Sequence, residues 1–221
     1  MPINPDPPTP VVYEPDSLGL AQYRILYAVV VAGKSAVFAD RAMARFMDGA
    51  GALLPYDWID ALEACGRLES HMRQSRMGCY SRLTRAFREI AKGRPDIRVA
   101  EPAELEKFHG IGPKTARFAK IWMRPAARYA ALDRHVLAWL NSIGVTSPRS
   151  TPAGDLYARL EKRFIAEADR RGFTPRMLDA MIWAHCAQFR DRGDTSWPAW
   201  LQVAPSPPPQ AVLEYFQRFA A

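Results

Sequence analysis

The chain has 221 residues, 48% of them hydrophobic and 24% charged, with 30 Lys plus Arg against 23 Asp plus Glu and a formal net charge of +7. That is the balance of an ordinary globular protein, long enough to bury a sizeable core without covalent staples. Three unevenly spaced cysteines, Cys65, Cys79 and Cys186, exclude a disulfide scaffold. The longest apolar run, Ile25 to Gly33, is too short to span a bilayer, and the opening MPINPDPPTP has neither the basic nor the apolar region of a secretory leader. The expectation is an intracellular protein, cytoplasmic or nucleoid-associated, with no membrane contact and no metal or other cofactor.

Residues 1–17 hold prolines at 2, 5, 7, 8, 10 and 15. Proline removes an amide donor and fixes φ, so this segment is expected to be an extended or disordered arm. Helices then follow one another. Leu18 to Ala32 is apolar and begins after Asp16 and Ser17, both good N-caps. Ala36 to Met47 spaces Val37, Met43, Phe46 and Met47 along one face. Trp58 to Cys65, Ser81 to Lys92, Ala103 to Phe108, Pro113 to Met123, Arg134 to Ser142, Asp155 to Arg171 and Pro175 to Arg190 complete the helical body. Alternating β-branched runs are almost absent, so the expected class is all-α with short connections. Pro205 to Pro209 breaks the chain, and Val212, Leu213, Phe216 and Phe219 then fall at helical spacing within Ala211 to Phe219. The expected organisation is an arm at 1–17, a helical domain at 18–204, and a proline break with a short helix at 205–221.

Two stretches invite a phosphate ligand. Ala28 to Ser35, AVVVAGKS, imitates a phosphate loop but lacks its first glycine. Three valines ending a buried helix cannot turn their amides inward, so Gly33 is read as a helix terminator beside an exposed Lys34. Between Arg67 and Arg98, nine basic residues stand against Glu69, Glu89 and Asp96. That segment is either a solvated helix face or a surface that tracks phosphates.

The most informative stretch is Leu105 to Leu140, LEKFHGIGPKTARFAKIWMRPAARYAALDRHVLAWL. Gly110 and Gly112 flank Ile111 in a tight turn, and Pro113 opens a new helix at its favoured first position. Free amides and the dipole at that N-terminus favour an anion. This reads as a helix–hairpin–helix that holds a DNA phosphate without reading sequence; an ordinary glycine corner between two helices is the alternative. Lys114 opens the second helix, and Asp133 lies 19 residues further on, after YAAL and before another helix. The acid is either an N-cap or a partner of the amine. An amine and a carboxylate together suit chemistry at an anomeric carbon, one attacking and the other supporting positive charge or moving a proton.

GIGPKTA followed by ALDRHVL resembles the helix–hairpin–helix DNA glycosylase superfamily, over roughly residues 18 to 200. The resemblance implies two all-α lobes with DNA in the cleft between them: a six-helix lobe near 36–135, and a second from 18–35 plus 136–204. It implies a monomer acting on double-stranded DNA in base excision repair, nearest to the 8-oxoguanine glycosylases that also cleave abasic sites and lack an iron–sulfur cluster. Lys114 would form a Schiff base with deoxyribose, and Asp133 would assist. Gly110, Ile111, Gly112 and Thr115 would meet the backbone. Met77-Gly78-Cys79-Tyr80 resembles the family's Gly-x-Tyr turn, which adds Tyr80, Arg82 and Arg85 to the DNA-binding set. Lys34 falls where relatives fill the gap left by a flipped base, though they favour an amide there; a surface charge is the alternative. The iron–sulfur branch carries four cysteines near the C-terminus, whereas here only Cys186 lies in that half. Histidines 71, 109, 135 and 185 show no ligand spacing. Trp122, Trp139, Trp183, Trp197 and Trp200 are candidate base-stacking residues or core, and His185 or Gln188 candidate readers of a base edge. Two other functions fit the same residues: a transferase that attaches an amine or amino acid to an activated pyrimidine in phage DNA, and a non-catalytic DNA-binding module.

Overall fold

The computed structural model describes residues 14–189 and 197–202, and it is helical throughout, with no strand among the described residues. The all-α expectation therefore holds. The arm up to residue 13, the proline break at 205–209 and the helix expected at 211–219 lie outside the described residues. The helices are α1 (Leu18–Val30), α2 (Ala36–Met47), α3 (Pro55–Ala64), α4 (Leu68–Gln74), α5 (Tyr80–Gly93), α6 (Pro102–Leu105), α7 (Pro113–Met123), α8 (Arg134–Ser142), α9 (Gly154–Arg170), α10 (Pro175–Phe189) and α11 (Ala199–Gln202). The chain divides into two compact units, Met1–Ala119 and Lys120–Ala221.

In the first unit α1 is apolar on nearly every side, and Ile25, Leu26, Val29 and Val30 are almost fully buried. A helix of that composition must be surrounded; α2, α3 and α5 pack on it. It therefore belongs to this first unit, whereas the sequence reading groups 18–35 with 136–204. Ser17 caps it, its hydroxyl accepting from Leu20 N at 3.1 Å. Gln22 is buried in α1, and its carbonyl accepts from Tyr56 N at 3.0 Å. That bond satisfies one of the orphan amides of α3, whose own N-cap, Leu54, has no side chain to offer.

Helix α5 organises this unit. Its inner face carries Leu83, Ala86, Phe87 and Ile90, all fully buried. Helix α4 is not foreseen from the sequence: only Leu68 and Met72 of its seven residues are buried, too few to mark a periodic stripe.

The second unit packs α8, α9 and α10 around Trp139, Leu140, Phe164, Leu178 and Ile182. The rings of Trp139 and Phe164 meet edge to face at 5.8 Å. Arg171 is buried at the end of α9, ion-paired to buried Glu167. Its other nitrogen donates to the carbonyls of Leu201 and Gln202 at 3.2 and 3.3 Å. The Trp139 indole donates to Leu201 O at 3.0 Å, so α11 is strapped to this core.

Candidate nucleic-acid and catalytic site

In the first unit the glycine hairpin is seated on α5. Helix α6 ends at Leu105 rather than at the expected Phe108. Beyond it the chain tightens, Lys107 N bonding Glu104 O and Phe108 N bonding Leu105 O, the three-residue pattern of a tighter helix. This delivers the Phe108 ring onto Gly93, where a Cβ would stand 2.3 Å from the ring edge. Gly110 adopts φ +81°, and a Cβ there would meet Ala86 and Val29 at 3.4 and 3.5 Å. Glu89 of α5 accepts from His109 N at 2.9 Å. Arg117 braces the far side, donating to Glu106 at 2.7 Å and to Pro113 O at 3.2 Å.

The two glycines differ. Gly110 is favoured by its positive φ, its Cβ position lying at ordinary contact distance from Ala86 and Val29, whereas nothing lies within 4 Å of a Cβ placed on Gly112. The fold imposes no glycine at 112, which faces open space. Ile111 is buried at 5% exposure and its amide donates to Phe108 O at 3.1 Å, so both its groups are used inside the turn. Thr115 is also buried. The amides of Gly112, Lys114 and Thr115 have no acceptor among the described residues. The Lys114 ammonium rests over the Phe118 ring of its own helix at 5.2 Å, and no carboxylate among the described residues pairs with it.

The turn before α5 meets Lys34. The Lys34 ammonium donates to Met77 O at 2.5 Å and lies over the Phe38 ring at 5.3 Å. Burial lowers its pKa from the ordinary value; Cys79 opposes that shift and the nearby Arg82 guanidinium adds to it. Lys34 is thus more than a surface charge at a helix end. Arg76, Gly78 and Cys79 all have positive φ. For the two non-glycine residues that conformation costs about 1–2 kcal/mol each, strain of the kind that collects at functional turns. No acidic residue and no side-chain cap serves the N-terminus of α5. The Nε of Arg82 is buried there without a hydrogen-bond partner, and Arg73 lies over the Tyr80 ring at 4.5 Å.

The basic segment itself is largely neutralised. Arg73 pairs with Glu69, Arg85 with Glu89, Arg88 with Glu63, Arg94 with Asp57 and Asp60, and Arg98 with Asp96. Asp57, Asp60 and Glu63 come from α3, outside the window in which the charge was counted. Arg67, Arg76, Arg82 and Lys92 remain without ion pairs among the described residues. Arg85 is engaged through Glu89, which links it to the hairpin amide at 109.

In the second unit, the extended segment before α8 is pinned by main-chain bonds. The Tyr157 hydroxyl donates to Ala130 O at 2.6 Å and accepts from Leu132 N at 3.2 Å. Glu161 accepts from Ala130 N at 2.9 Å, and Thr151 donates to Leu132 O at 3.0 Å. This presents Asp133, which is the N-cap of α8: its Oδ1 accepts from His135 N at 2.8 Å and Val136 N at 2.9 Å. Its Oδ2 accepts from the Trp183 indole of α10 at 3.0 Å. The His135 ring meets Trp183 edge to face at 5.6 Å.

Several supporting residues escape sequence reasoning. Glu89, Gly93, Tyr157 and Glu161 belong to no motif; each acts on residues 15 to 31 positions away. Of the tryptophans, Trp139 and Trp197 are buried in the core, while Trp183 is 37% exposed. The side chains of Trp200 and Gln188 lie outside the described residues. Among the described residues no cluster of three or more His, Cys, Asp or Glu is placed to hold a metal, and no helix is long and apolar enough to cross a membrane. Compared with protein-family models, curated proteins and solved structures, the chain matches none.

Proposed function

We propose that the chain is a DNA glycosylase with an attached abasic-site lyase step, acting on a damaged or modified base everted from duplex DNA, with 8-oxoguanine as a candidate. The observation that carries the reading is the start of α7: an unobstructed Gly112, with three amides that have no acceptor and an amine that has no acidic partner among the described residues. Unsatisfied donors at a helix N-terminus call for an anion, and a backbone phosphate supplies one. The cations at Lys34 and Arg82 beside the N-terminus of α5 add a second contact of the same kind.

In this reading the Lys114 amine attacks C1′, losing a proton as it bonds, and the bond from C1′ to the base nitrogen breaks. The base leaves with its electron pair and takes up a proton. The Asp133 carboxylate supports the positive charge that develops on the sugar. Ring opening yields an iminium ion at Lys114. Loss of a proton from C2′ then expels the 3′ phosphate, and water releases the enzyme. Pulling the base from the stack takes a few kcal/mol, least where pairing is already weak.

The test is a panel of lesion and modified duplexes, with borohydride present to reduce the iminium. Wild type should give a covalent adduct and a free base, and Lys114→Gln should give no adduct. Release of base without any adduct removes the lyase step. A heavier nucleoside in place of a released base assigns the chain to transfer onto the base. DNA binding with unmodified nucleosides, and with no effect of Asp133→Asn, reduces it to a binding module.

A further inference from the structure

A carboxylate that only caps a helix needs one oxygen. In Asp133 both capping bonds converge on Oδ1, so Oδ2 has no capping duty. It is nevertheless held, by an indole N–H from a different helix 50 residues away in the chain. With Oδ1 fixed by α8 and Oδ2 by α10, the carboxylate plane cannot rotate. Each carboxylate oxygen offers about two acceptor sites, so Oδ2 keeps one for another group. The indole is itself held in place. His135, two residues beyond Asp133 on the same helix turn, packs edge to face on the Trp183 ring, and Arg134 donates to His135 Nε2 at 3.3 Å. A tryptophan left 37% exposed is not there chiefly to fill the core.

We infer that Trp183 is the positioning residue of Asp133: it fixes the free oxygen of the acid so that the carboxylate meets the developing charge on the sugar in one orientation. This inference rests on the glycosylase reading, because only that reading gives the orientation of Oδ2 a purpose. Trp183 acts through Asp133 and not on the sugar. Preorganised charge is effective only when it needs no reorientation during the reaction.

The experiment uses the full chain with Trp183→Phe, Asp133→Asn and the double variant. Phenylalanine keeps a ring against His135 and removes the N–H. In the free protein, the indole N–H resonance of Trp183, identified by its loss in Trp183→Phe, should shift in Asp133→Asn. In base release from a lesion duplex, Trp183→Phe should lower kcat about ten-fold, in keeping with one hydrogen bond to a charged group. KM should stay within about two-fold, as expected when an interaction serves the transition state and not binding. In the Asp133→Asn background the same change should have no further effect, the non-additivity of residues acting as a unit.

An indole resonance indifferent to Asp133→Asn overturns the proposal, as does an additive double variant. A raised KM with kcat intact makes Trp183 a stacking surface for the base and overturns it too. If wild type releases base and Trp183→Phe is equally fast, this inference alone falls. If the indole responds but wild type releases no base from any duplex, the glycosylase reading falls and the catalytic meaning of the contact goes with it.

Discussion

The start of α7 in the first unit and the start of α8 in the second are both helix N-termini preceded by a tight or extended segment, yet they are finished differently. At α7 the turn packs through apolar contacts, Phe108 on Gly93 and Gly110 against Ala86 and Val29, with Glu89 holding the His109 amide beside them. The amides of 112, 114 and 115 and the Lys114 ammonium there have no acceptors among the described residues. At α8 the seating is polar, through Tyr157, Thr151 and Glu161, and Asp133 itself receives three N–H donors. A nucleophile and a phosphate clamp need open valences, whereas a charge stabiliser needs a fixed orientation. The difference between the two termini is the one that the proposed reading requires.

The largest effect should come from removing the open group. Lys114→Gln should cut adduct formation and base release by at least about 10³-fold, while thermal unfolding stays within about 1 kcal/mol of wild type because only the contact over the Phe118 ring is lost. A large drop in melting temperature would make Lys114 structural and erase the contrast. Tyr157→Phe attacks the other terminus. It leaves the buried amide of Leu132 and carbonyl of Ala130 without the hydroxyl, and should destabilise the protein by about 1–3 kcal/mol in urea unfolding. Activity should fall as well, because Asp133 follows directly on that segment.

The two hairpin glycines sharpen the comparison within the first unit. Gly110→Ala should lose about 1–2 kcal/mol of stability, from its positive φ. Gly112→Ala should leave denaturant stability unchanged and weaken duplex binding about ten-fold, since the added methyl enters the space where a phosphate would sit. Equal stability losses in both would mean that the turn is only a corner between helices.

The smallest effect is a pH dependence of the hairpin seat. The Arg85 hydrogen bond, then the His109 amide, holds the Glu89 carboxyl below its ordinary value of 4.5, against a slight opposing effect of burial. Its folded pKa is the depressed one, so its contribution is complete above the ordinary value and disappears as pH falls through the lower folded value. The His109 amide resonance should therefore show a transition below pH 4.5, and Glu89→Gln should abolish that transition. In the second unit burial alone would raise Glu167, but hydrogen bonds from Arg170 and Arg171 overcome it and hold the carboxyl low. Acid should therefore loosen the Arg171 strap in the same direction.

The helices were legible in the sequence because their signals are local. Ser17 marks α1, Pro113 opens α7, and the apolar spacing of Met43, Phe46 and Met47 matches the buried face of α2. The places of Lys114 in the first turn of α7 and of Asp133 as the N-cap of α8 are legible for the same reason, lying next to a glycine turn and a helix start. What the chain alone could not disclose is pairing at a distance. In the sequence the basic run from 67 to 98 is either a solvated face or a phosphate-tracking surface, and only the fold brings Asp57, Asp60 and Glu63 of α3 beside it. Which of two glycines the fold requires, which tryptophan stays exposed, and what holds each oxygen of Asp133 depend on contacts between helices far apart in sequence. Packing decides these, because a periodic pattern specifies which face of a helix is buried but not which residues it will meet.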